Sequence, residues 1–229
     1  MSTKVVQEKN AESVSFGQKI SDFLSKNRIV LISAISVLAA VFIGLVAVTV
    51  ITENRNKKAF ETIESFVTDW ETARAASDKS GLSAKEDELL ASLAKVAAAN
   101  KHSFAGARAS MTIAEIYFSR KDWNNARTSY LAAAKAAPKA YTAGLNYFNS
   151  GVCADELGKQ DEAIADFNTA VSLENFTLKP RALFNIGRIE EQRSQTKAAI
   201  DAYSKVTAQF PDDEWAKLAE SRIIALQLK

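Results

Sequence analysis

Cysteine and histidine are almost absent from this 229-residue chain, which has one of each, Cys153 and His102. A lone cysteine excludes a disulfide within the chain, and no spacing of metal-binding side chains suggests a metal site. Catalysis of the Ser-His-Asp or Cys-His type needs a histidine beside a nucleophile, and His102 is far from Cys153 in sequence. We therefore expect no metal, no cofactor, no small-molecule substrate and no enzymatic activity.

Glycine and proline are also scarce, with eight and three residues respectively. This composition supports few strands or tight turns, whereas abundant alanine favours long helices. An excess of one charge is lacking too, because residues 53–229 carry 24 basic and 24 acidic side chains. Nucleic-acid binding needs a basic face that neutralises phosphates, so no nucleic-acid partner is expected. The composition predicts an all-α protein.

One uncharged run extends from residue 29 to residue 52 and consists mostly of Val, Ile, Leu and Ala. A helix of this length, rising 1.5 Å per residue, spans the ~30 Å hydrocarbon core of a bilayer. The run is too long for the apolar part of a signal peptide, so we expect an uncleaved anchor. Within it, Ser36, Ala40 and Gly44 form a stripe of small residues that favours close packing of membrane helices.

Basic residues flank this run on both sides, four in the 20 residues before it and three in the 20 after it. The positive-inside rule then favours a cytoplasmic N-terminus and a C-terminal part across the membrane. Residues 1–28 form a tail that ends in a short amphipathic helix, with Phe16, Ile20, Phe23 and Leu24 on one face. We expect this helix to lie in the headgroup region.

A repeated spacing occupies the C-terminal half of the chain. A small residue, an aromatic residue and a second small or apolar residue follow one another at intervals of four and three. The copies begin at Ala126, Ala163 and Ala199, which are 37 and 36 residues apart. A proline or asparagine follows each copy, and a preceding helical segment supplies one more small residue in each case. These additional small residues are Ala114, Gly151 and Gly187.

This pattern resembles the tetratricopeptide repeat, a helical hairpin with small residues at positions 8 and 20, an aromatic at 24 and proline at 32. The resemblance covers residues 105–211 as three repeats and implies a right-handed α-solenoid of stacked hairpins. Ser110 and Glu190 depart from it, because large apolar residues are usual at positions 4 and 11. We expect residues 53–104 to form a long first helix and a degenerate hairpin, and residues 212–229 a capping helix.

The resemblance also implies a partner-binding groove on the inner face of the first helices. The residues at the matching positions are Arg108, Met111, Glu115, Phe148, Asn149, Val152, Arg181, Phe184, Asn185 and Arg188. Two interpretations of Phe148 and Phe184 remain open. They are exposed anchors beside amides that hold a partner's backbone, or they pack between helices while the asparagines are merely solvated. The groove lacks lysines that bind a carboxylate, so a C-terminal carboxylate ligand is not expected.

The order of tail, apolar run, long helix and repeats resembles the YfgM-like family of ancillary SecYEG translocon subunits. That resemblance implies a single-pass protein of the bacterial inner membrane with a periplasmic C-terminal domain. It also implies contact with membrane complex subunits, the translocon or periplasmic chaperones. Two alternatives remain: a structural component of a large envelope complex, or the same module facing the cytosol. The sequence leaves the oligomeric state open.

Overall fold

A computed structural model of the chain describes residues 16–76 and 81–228, and all regular secondary structure in these ranges is α-helical. The tail up to residue 15 and part of the turn after residue 76 lie outside the described residues. The helices that follow residue 27 are α1 (Arg28–Ala75), α2 (Leu82–Ala99), α3 (Phe104–Ser119), α4 (Trp123–Ala136), α5 (Thr142–Glu156), α6 (Gln160–Ser172), α7 (Lys179–Gln192), α8 (Thr196–Gln209) and α9 (Glu214–Gln227).

The N-terminal unit ends at Arg55. Residues 16–26 are helical, and α1 follows directly after Asn27. Side chains of residues 29–52 are almost all exposed, including those of Ser36 and Ala40, and Gly44 is exposed as well. By length and composition α1 is able to cross a membrane, although a signal sequence near an N-terminus has the same properties.

The second unit begins at Asn56. From α2 to α9 each helix packs against the next one in the chain, and α9 also contacts α7. Its first hairpin buries Ile63, Val67 and Trp70 of α1 against Leu93 of α2. Successive helical hairpins therefore share a core with their neighbours, as expected of an array whose hairpins cannot bury their apolar faces alone.

The turns that join α3 to α4, α5 to α6 and α7 to α8 share one backbone geometry. Each places one residue in the left-handed region: Lys121 at φ 60°, Gly158 at φ 70° and Ser194 at φ 59°. In each turn the next backbone N–H bonds to the carbonyl five residues earlier, which closes the helix end with a 6→1 bond of the Schellman type. These bonds join Asp122 to Tyr117 at 2.9 Å, Lys159 to Ala154 at 2.8 Å, and Gln195 to Glu190 at 2.9 Å.

Small residues lie where the two helices of a hairpin cross. A Cβ atom added to Gly151 would lie 2.8 Å from the Phe167 ring, and one added to Gly187 would lie 2.6 Å from the Tyr203 ring. Both rings are fully buried, so they have little room to move. Glycine therefore permits the aromatic side chain of the second helix to pack directly on the backbone of the first.

Buried charged groups connect elements that are distant in sequence. Asp166 accepts from the Ser150 hydroxyl at 2.7 Å and from the Arg127 guanidinium at 2.9 Å. Glu86 likewise accepts from the Trp70 indole N–H at 2.8 Å and from the Arg120 Nε at 2.7 Å. Because each buried carboxylate has two donors, the cost of removing its charge from water is offset.

Replacing Gly151 with valine should destabilise the repeat unit by about 1–3 kcal/mol, because the added methyl groups displace the buried Phe167 ring. Urea unfolding of the full chain, followed by circular dichroism, measures the change. The matched control is Ala165→Val on the exposed side of α6, where only the helix propensity changes, by less than about 1 kcal/mol. Equal stabilities of the two variants would mean that the helices do not cross closely at Gly151.

Candidate partner-binding site

The side chains of Phe148 and Phe184 are not exposed on the groove surface, because both lie in the core at 3% and 8% exposure. The Phe148 ring packs on Phe167, with centroids 5.4 Å apart, and the Phe184 ring packs on Tyr203 at 5.2 Å. The physical reason is helical spacing. Each phenylalanine precedes the hairpin glycine by three residues, so it shares the face that is turned toward the second helix. Both rings thus pack between the helices of their hairpins.

The remaining positions in the second and third repeats are partly covered. Asn149, Val152 and Asn185 are half-buried. Arg188, on α7, forms an ion pair with Asp155 of α5, so its charge is satisfied within the fold. Arg181, on the same helix, is exposed. The Arg181 guanidinium lies over two aromatic rings, 5.3 Å from the Phe148 centroid and 5.8 Å from the Trp215 centroid. Along the first helices of the second and third repeats, these predicted groove side chains are therefore half-buried, ion-paired or packed on aromatic rings.

The first helices of the N-terminal hairpins enclose an open cleft of about 360 Å³, called the first-helix cleft below. Two of the predicted groove residues, Arg108 and Met111, line it, whereas Phe148 and Phe184 do not. The complete lining comprises Phe60, Glu64, Phe104, Arg108, Met111, Tyr141, Thr142 and Leu145. Side chains from α1, α3 and the start of α5 thus meet at one place.

Three aromatic rings form a row along this cleft. The Phe60 and Phe104 rings are stacked with centroids 5.9 Å apart, and the Tyr141 ring follows at 6.2 Å from Phe104. The sequence-based interpretation missed these residues. One signal was present, because Phe104 and Tyr141 are 37 residues apart, which is the spacing of the first two repeats. Each of these two residues stands at the start of a first helix, α3 or α5.

The charged residues beside the row form a chain across α1 and α3. Arg108 Nε donates to Glu64 Oε1 at 2.8 Å, and Arg108 Nη1 lies 3.9 Å from Glu115 Oε2. Burial raises the pKa of the Glu115 carboxyl, an effect that Arg108 opposes and that Glu71 reinforces. Glu115 is therefore a carboxylate whose charge the fold compensates only in part.

Two kinds of reactive side chain are relevant among the described residues, metal ligands and the cysteine thiol. Among residues 16–76 and 81–228, no three His, Cys, Asp or Glu side chains are grouped to hold a metal ion. Cys153 is fully buried, and burial raises the pKa of its thiol to about 12, which keeps it protonated at neutral pH. The cleft offers apolar contact, ring stacking and charge pairing, which are means of recognition.

Comparison with known proteins agrees with this architecture. The tetratricopeptide repeat profile matches residues 154–214. A TPR repeat-containing protein of Treponema pallidum (strain Nichols) is 42% identical over 150 residues, which are 65% of this chain and 63% of that protein. The chain thus spans less than two thirds of the length of this curated relative.

Two solved structures are also among the matches. MamA is 18% identical with a TM-score of 0.47, over 66% of this chain and 87% of that one. The first TPR of Spaghetti, bound to an HSP90 peptide, is 18% identical with a TM-score of 0.46, over 56% of this chain and 95% of that one.

The repeated hairpins define a class, the helical repeat proteins, whose members bury a continuous core between stacked units. Within that class, residues 154–214 match the tetratricopeptide repeat, and 150 residues of the chain are similar to the Treponema protein.

Replacing Glu115 with glutamine should stabilise the folded chain at pH 7. A carboxyl whose pKa is raised by folding binds its proton more tightly in the folded state, so its ionised form costs stability at higher pH. The gain should shrink as the pH falls toward the ordinary glutamate pKa of 4.5. Urea unfolding at pH 7 and pH 4.5 measures both effects.

The control for this experiment is Glu156→Gln on the exposed side of α5, which removes a carboxylate of the same type outside the cleft. A Glu115→Gln variant that is less stable than the parent at pH 7 would contradict the electrostatic description of the cleft.

Proposed function

We propose that this chain is a membrane-anchored, non-catalytic interaction subunit of the bacterial inner membrane. Residues 29–52 span the bilayer, and the tetratricopeptide repeats face the periplasm. There the repeats bring together subunits of the secretion machinery or periplasmic chaperones, in the manner of the YfgM-like family. The observation that carries this proposal is the attachment of a repeat module, with an open first-helix cleft, to a chain segment of 24 uncharged residues.

The exposed apolar surface of α1 supports the membrane part of the proposal. Ile35, Leu38, Phe42 and Leu45 are each more than three-fifths exposed, at 65%, 68%, 67% and 62%. Leaving side chains of this size in water on all sides of a helix is costly, and a bilayer removes that cost. The basic residues before the run favour a cytoplasmic N-terminus.

Cysteine labelling in intact spheroplasts tests the anchor and its direction together. In a Cys153→Ala background, Lys139→Cys in the turn after α4 should react with a membrane-impermeant maleimide without lysis. Gln18→Cys should react only after the cells are lysed. Both positions are exposed in the fold, so burial will not prevent labelling. The reverse pattern would place the repeats in the cytosol, and immediate labelling of both positions would refute the span.

Cross-linking in native membranes tests the proposed partners. We expect a lysine-reactive cross-linker followed by mass spectrometry to connect the repeat unit with subunits of the secretion channel or with periplasmic chaperones. Replacing residues 1–55 with a cleavable signal peptide should lower the yield of channel cross-links, because the module then loses its confinement to the membrane. Cross-links to cytosolic proteins alone would overturn the proposal.

A further inference from the structure

Two aromatic side chains of the first-helix cleft are exposed although neighbouring rings are buried. Tyr141 is 71% exposed and Phe104 is 38% exposed, whereas Phe148, on α5 itself, is 3% exposed. Their rings nevertheless keep contact with each other, and the Phe104 ring also stacks on Phe60. A row of accessible rings beside a concave surface is typical of a site that receives an apolar side chain from a partner.

Around Arg108 the carboxylates outnumber the guanidinium groups; Glu64 lines the cleft, whereas Glu115 and Glu71 lie outside its lining. Arg108 is the one cation in the cleft lining that the described residues provide, and it is shared between Glu64 and Glu115. Glu71 adds a third carboxylate to the surroundings of Glu115. Arg74 is also near Glu115, but its guanidinium lies 4.6 Å from the Trp70 ring centroid. Three carboxylates and two guanidinium groups leave one negative charge, which a basic partner would complement.

We propose that the first-helix cleft binds a segment of a partner protein in which an apolar side chain is followed by lysine or arginine. The apolar side chain packs against the rings of Phe104 and Tyr141. The basic side chain then reaches the carboxylates around Arg108 and forms an ion pair with Glu115. The inference rests on the proposed function, because it specifies the kind of protein segment that the interaction module receives.

The chemistry of the cleft disfavours two other occupants. An acidic segment would meet Glu64, Glu71 and Glu115 with only Arg108 and Arg74 to oppose them. A lipid surface would satisfy the exposed rings but would not add a cation beside the half-buried Glu115, whose partner Arg108 is also bound to Glu64. A peptide side chain provides both contacts within a few residues, which suits a concave cleft of about 360 Å³.

Fluorescence anisotropy with defined peptides tests the inference. The probe is the labelled, end-blocked peptide Gly-Ser-Leu-Phe-Lys-Arg-Ser-Gly, and its charge-reversed partner carries Glu-Asp in place of Lys-Arg. The full chain is placed in phosphatidylcholine nanodiscs, and empty nanodiscs serve as the blank. We expect the basic peptide to bind at least about tenfold more tightly than the charge-reversed one at 0.15 M salt.

Substitutions then locate the binding. Tyr141→Ala should weaken binding of the basic peptide about fivefold, through the loss of one aromatic contact. Glu115→Gln should reduce the preference for the basic peptide over the charge-reversed one. Leu218→Ala is the matched control, because Leu218 is an exposed apolar residue at 45% on α9, outside the cleft lining. It should leave binding unchanged. Circular dichroism confirms that each variant is folded.

Three outcomes would overturn the inference. These are tighter binding of the charge-reversed peptide, no binding of either peptide, and binding that Tyr141→Ala leaves unchanged. The last result would assign the exposed rings to another occupant, such as a lipid surface. Failure of the peptide experiment while cross-links to the secretion machinery persist would reject the cleft but retain the proposed function. The absence of those cross-links from membranes that contain the unaltered chain would reject the proposed function itself.

Discussion

The close crossing of two helices inside each hairpin is the constraint on which the repeat unit depends. An alanine or glycine of the first helix faces an aromatic ring of the second: Ala114 shares a buried cluster with Tyr130, and Gly187 lies against Tyr203. The ring packs on backbone, so the helices approach more closely than two large side chains would allow. The face of the first helix that carries the small residue therefore packs against the second helix of the same hairpin.

This constraint also determines which residues are available to a partner. In the second and third repeats the residue three positions before the small one is turned into the hairpin, and both Phe148 and Phe184 are buried for this reason. Met111, at the same position of the first repeat, is half-buried and lines the first-helix cleft. Residues at the very start of a first helix precede the crossing and are not covered by it. Phe104 and Tyr141 stand there, one repeat apart, and their rings remain accessible. The packing rule that builds the core thus leaves a row of aromatic side chains at its edge.

The sequence contained most of the information about the repeats and less about the cleft. The small residues at Ala114, Gly151 and Gly187 recur because a crossing needs them, so sequence spacing alone located the hairpins. Whether Phe148 is buried depends on how the first helix is rotated about its axis relative to the second helix. The repeat position of Phe148 in the sequence did not determine that rotation. Phe60 belongs to a degenerate hairpin without a readable register, so its stacking on Phe104 required the three-dimensional structure.

The central claim is that stacking aligns successive first helices in one row and brings Phe104 close to Tyr141. Chemical cross-linking tests this alignment directly in native membranes. Phe104→Cys and Tyr141→Cys are introduced together in a Cys153→Ala background and treated with a short bismaleimide. The structure predicts an efficient cross-link within one chain, because the two rings are 6.2 Å apart between centroids. Labelling of both cysteines without an intramolecular cross-link would contradict the alignment.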